Sequence, residues 1–194
     1  MGHSLSWAAL KGGNPETVCS ALGLRATRKR EQLPKSKVTG AALPTGWYAI
    51  LFNRTEIKDQ TLEKLSRAGE VVSCFVEDHV MFSSAAAWKN GRQLWRVAHD
   101  GGQDGVLHLE TSGDLPAEFA SIQKNLFAKQ EKETAEPDDL KVHHVYEFRA
   151  EVAKELTGFR NDQDIPGISP DIFAALEPKS GSLLSRLFGK KDKQ

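Results

Sequence analysis

Asn90-Gly91 interrupts a stretch rich in β-branched, aromatic and small apolar residues that runs from Glu70 to Glu110. Asn-Gly accepts the left-handed backbone of a type I′ turn, whose twist matches the strands it joins. A two-residue turn sets a register, and the register decides which side chains share a face of the sheet. The stretch therefore predicts four consecutive antiparallel strands, at about residues 70–76, 79–89, 92–100 and 105–110, with Gly101 to Asp104 as the last turn.

Other segments add to this frame. Trp47 to Phe52 is apolar on both parities, which predicts a strand covered on both faces. Asn14-Pro15-Glu16 has the cap, first-turn proline and acidic residue of a helix start, and Gly23 supplies a left-handed stop. Lys58 to Ala68 reads as a helix carrying Leu62 and Leu65. Pro116 opens another, with Phe119, Ile122, Leu126 and Phe127 on one stripe.

Val142 to Phe148 alternates and predicts a further strand, followed by short helices at Glu151–Thr157 and Asp171–Leu176. Arg25 to Val38 is too polar for a core and reads as exposed, with one edge strand. Lys129 to Asp139 is a charged connector. The fold class is α+β: a mostly antiparallel sheet of five to seven strands, built around the central meander at about 70–110, with helices packed against it.

The 194 residues are 39% hydrophobic and 27% charged, an ordinary globular balance for one domain, which we set at residues 1–177. Residues 178–194 read as a linker and a flexible, basic, amphipathic tail. The net charge is zero but unevenly spread, with +5 over the first 44 residues, +4 from Lys179 onward and −9 between. A neutral total argues against a dedicated nucleic-acid binder, although the basic ends could touch nucleic acid weakly. No run approaches a membrane span and no signal peptide is evident, so the expected location is cytoplasmic. Cys19 and Cys74 fit neither a disulfide framework nor a zinc site and read as buried apolar residues.

Catalytic signatures are missing: there is no GxSxG, Walker loop or GxGxxG, and no cofactor is expected. A literal two-residue turn places Ala87 opposite Leu94 and Phe82 opposite His99. It puts Asp78, Val80, Phe82, Trp95, Val97, His99, Val106 and His108 on one face, and by the same register Trp88 and Trp95 share a face near the hairpin end. His99 and His108 become diagonal neighbours with Asp78 beside them, the donor types a divalent metal takes. Packed or hydrogen-bonded histidines are the stronger reading, since no ligand-spacing motif supports a metal.

Trp88, Lys89 and Asn90 at the hairpin end form a candidate partner-binding patch, because tryptophan dominates binding hot spots. Leu187 and Phe188 in the tail form a second, able to meet a partner groove or the surface of an anionic membrane. The leading expectation is a non-enzymatic binding module, of inhibitor or immunity type, for another protein. A metal-dependent hydrolase on the meander face is the alternative, and a weak nucleic-acid or membrane-surface binder using the basic ends is a third.

Overall fold

The computed structural model describes residues 4–32, 35–102, 105–135, 142–165 and 168–179. The elements are β1 (Ser4–Lys11), α1 (Pro15–Leu22), β2 (Leu24–Glu31), β3 (Val38–Ala42), β4 (Trp47–Asn53), α2 (Asp59–Ser66), β5 (Val71–Glu77), β6 (Phe82–Lys89), β7 (Arg92–Asp100), β8 (Glu110–Gly113), α3 (Phe119–Ala135), α4 (Phe148–Thr157) and β9 (Phe173–Pro178). All nine strands form one antiparallel sheet in the order β2-β9-β3-β4-β1-β5-β6-β7-β8. The α+β class is confirmed, with more strands than expected.

At its centre two split β-α-β units interlock. β4 lies between β1 and β3, while β1 lies between β4 and β5. Local chemistry starts and stops these units. The Asn14 side chain accepts the Thr17 N–H at 2.9 Å, and Gly23 ends α1 at φ 65°.

Helices cover the sheet on both sides. Val18, Cys19 and Leu22 of α1 and Leu62 and Leu65 of α2 pack with Ala8, Leu10, Tyr48 and Ile50. On the other face α3 and α4 bring Phe119, Leu126, Phe148 and Val152 onto Trp7, Trp47, Trp95 and Val97. Each large apolar side chain taken from water contributes roughly 1.5–3 kcal/mol. Trp47 to Phe52 is buried throughout, as expected of a strand covered on both sides. Among the described residues no helix is long and apolar enough to cross a membrane.

Several expectations are corrected. The meander exists, but as one end of the sheet and not its centre. β6 begins at Phe82 and not His79, because Asp78–Val80 forms a 3-10 turn and Met81 is left-handed at φ 52°. β8 is Glu110–Gly113 and not 105–110. Val142 to Phe148 is not a strand: Val145–Glu147 makes a 3-10 turn that runs into α4, whose buried Phe148 and Val152 decide its conformation.

The stretch 171–176 is mainly strand β9 and not a helix. It lies between β2 and β3, with Phe173 in one core and Leu176 in the other. α3 continues to Ala135, through most of the expected connector. β1 had no counterpart in the sequence reading.

The basic segment is also placed. β2 is a sheet edge, and Arg25 pairs with Glu177 at 2.8 Å. Burial pushes the Glu31 carboxyl up, but bonds from Lys29, Ser36 and the Lys35 backbone outweigh it and hold the group at about 2. Charge along an outer strand blocks edge-to-edge pairing with another sheet.

Candidate functional site

The β6–β7 hairpin presents two polar groupings, one on each face. The face toward α4 carries the histidines. His99, on β7, is 1% exposed, and its ring lies 6.2 Å from that of His108. Its Nδ1 lies 2.6 Å from the His108 carbonyl, so Nδ1 donates and the proton sits there. His108 Nδ1 accepts the Asp100 N–H at 2.8 Å. Asp78 reaches the group indirectly: Tyr146 donates its hydroxyl to Asp78 Oδ1 at 2.6 Å and stands edge-on to His99 at 6.1 Å.

The structure thus brings His99, His108 and Asp78 into one neighbourhood, but bonded to backbone and to Tyr146. Burial lowers the His99 pKa against the opposing pull of the His108 carbonyl, so the ring is held neutral. Burial and the Asp78 bond raise the Tyr146 hydroxyl. His99 Nε2 has no hydrogen-bond partner among the described residues, and a Cβ on Gly101 would lie 2.9 Å from it, so any side chain at that position would press on the ring. His143 Nδ1 is likewise buried without a partner among the described residues. Among the described residues no three His, Cys, Asp or Glu side chains are placed to hold a metal ion.

The expected pairing of Phe82 with His99 is corrected to Ser83 with His99. The cause is a bulge: Trp88 pairs with Gln93 and Ala87 with Trp95, leaving Leu94 extra. The Leu94 carbonyl accepts the Asp114 N–H at 3.0 Å, and a Cβ on Gly113 would come within 2.0 Å of that oxygen. Gly113, at φ 78°, is what lets β8 close on the bulge.

One extra residue exchanges faces, so Trp88 and Trp95 lie on opposite sides of the sheet. Trp88 is 8% exposed and is core, which removes it as a surface anchor. Lys89 and Asn90 remain exposed at the tip. That tip is fastened to α2, since Asn90 N–H donates to the Ser66 carbonyl at 2.9 Å and Gly91 N–H to Ser66 Oγ at 3.0 Å. Leu187 and Phe188 lie outside the described residues.

The second grouping had no counterpart in the sequence reading. Where α2 ends its cover of the sheet, a cavity of about 150 Å³ opens over β5, β6 and β7. Its floor includes Ser73, Phe75 and Ser84, its walls Leu62 and Trp88, and its rim Glu56, Asp59, Gln93 and Arg96. The loop forming one wall is pinned by Ser6, whose hydroxyl donates to the Thr55 carbonyl at 2.7 Å and accepts the Ile57 N–H at 3.1 Å.

Trp88 Nε1–H is buried with no acceptor among the described residues, a state that costs about 1–3 kcal/mol. Polar residues at alternate positions of otherwise apolar strands were the available signal, but they align on one face only through the bulge.

No protein-family profile matches the chain, and no curated protein or solved structure is a significant match.

Proposed function

We propose that this chain is a non-enzymatic binding module for another protein, acting in the cytoplasm, and that the partner meets the rim of the β6–β7 hairpin. The observation that carries this reading is the fastening of the hairpin tip to Ser66, beside exposed Lys89, Asn90 and Leu94. A contact surface held in place before binding loses little conformational freedom on association. The internal bonding of the histidine group favours a structural role there over a hydrolytic one. The cytoplasmic assignment draws on Cys19 and Cys74, both buried and unpaired.

A partner captured from the native host on the full chain supplies the test. Leu94→Glu and Lys89→Glu together should weaken its binding by roughly tenfold or more. Arg28→Glu, on the far edge strand, should leave it unchanged. A partner that tolerates the hairpin changes but is lost with Arg28→Glu would overturn the reading.

A further inference from the structure

We infer that the cavity beside Trp88 is a binding site for a small zwitterion of the α-amino acid type. This goes beyond the proposed protein contact and does not depend on it. The rim carries both signs of charge: Arg96 on β7, and Glu56 and Asp59 at the start of α2. None of the three has an ion-pair or hydrogen-bond partner among the described residues. Trp88, 8% exposed, supplies apolar ring surface to the wall.

Arg96 asks for a carboxylate, while Glu56 and Asp59 ask for an ammonium group. A simple anion would leave the two carboxylates facing it, and a simple amine would leave the guanidinium unmatched. Leu62 and Phe75 give a short apolar side chain somewhere to lie.

Size narrows the class further. The cavity holds about 150 Å³, and cavities of about that volume take a benzene-sized molecule. That is room for a small amino acid and too little for a nucleotide. The site is also built before the ligand arrives, since Ser6 pins the Thr55–Ile57 loop on one side and the sheet forms the floor. Such sites combine apolar walls with a few converging polar groups.

Calorimetric titration of the full chain with each of the twenty common amino acids, at up to ~10 mM to reach weak affinities, provides the test. At least one small amino acid should bind. Its carboxamide and its N-acetyl derivative should each bind roughly tenfold more weakly, the loss expected for one charge-assisted bond. Arg96→Gln should weaken the amino acid by a similar factor while leaving the carboxamide unaffected. Glu56→Gln with Asp59→Asn should do the converse, sparing the N-acetyl form. These side chains are exposed, so folding should survive, and circular dichroism checks it. Failure of every amino acid to bind overturns the inference. So does binding that is indifferent to Arg96→Gln and to the paired carboxylate change.

Discussion

The two faces of the β6–β7 hairpin each meet a group of polar side chains and use it differently. On the α4 side, His99 through its Nδ1, His108, Tyr146 and Asp78 bond to one another and to backbone. On the α2 side, Arg96, Glu56 and Asp59 stand around a cavity without partners among the described residues. A buried group that bonds inward strengthens the fold, and an unbonded one at a cavity is free to select a ligand. The difference separates a structural polar cluster from a recognition site more reliably than residue type does, since histidine would have drawn attention first.

The comparison is most exposed to failure at His99. His99→Ala should lose about 2–4 kcal/mol, from the cavity left and the His108 carbonyl stripped of its donor. Urea denaturation measures this, and a loss below about 0.5 kcal/mol would show that the cluster is not structural. The pH dependence sharpens the same point. The folded-state pKa of His99 is lowered from its ordinary value of 6.5, so the unfolded chain takes up the proton first as pH falls. The stability due to the neutral ring is present above that value and declines below it. A His99→Gln variant should show a flatter decline between neutral and mildly acidic pH than the native chain.

Tyr146→Phe tests the bond to Asp78 and should cost about 1 kcal/mol, read as a shift in the urea midpoint. A change of no measurable size would leave Tyr146 as packing alone. The smallest effect belongs to the other face. Arg96→Gln should alter stability by no more than about 0.5 kcal/mol, because nothing in the fold leans on an unpaired exposed cation. Thermal melting that falls by several degrees in this variant would place Arg96 in the scaffold and dissolve the contrast.

Much of the fold was legible where chemistry is local. Asn90 and Gly91 adopt φ 52° and 77°, as their turn requires. Asn14 and Gly23 bound α1 as their side-chain and backbone preferences dictate. The residues 142–148 and 171–176 went the other way. Both are short, and the conformation of a short apolar run follows from what it packs against: α4 lies on the sheet, and β9 fills a gap between two strands. The candidate metal group was legible as a neighbourhood, because strand register brings His99 and His108 together. Its bonding was not, since Tyr146 arrives from a segment 47 residues further along the chain from His99.

The sequence by itself determined the hairpin, the α+β class and the burial of Trp47 to Phe52, all consequences of backbone preference and side-chain period. Only the tertiary structure decided which face each side chain of the hairpin occupies beyond the turn. A single bulge at Leu94, held by Asp114 and permitted by Gly113, sends Trp88 to one side and Trp95 to the other. Because side chains in a strand alternate with a period of two, one extra residue reverses every assignment that follows it. Pattern along a chain cannot reveal such a shift when the contact that stabilises it comes from another strand.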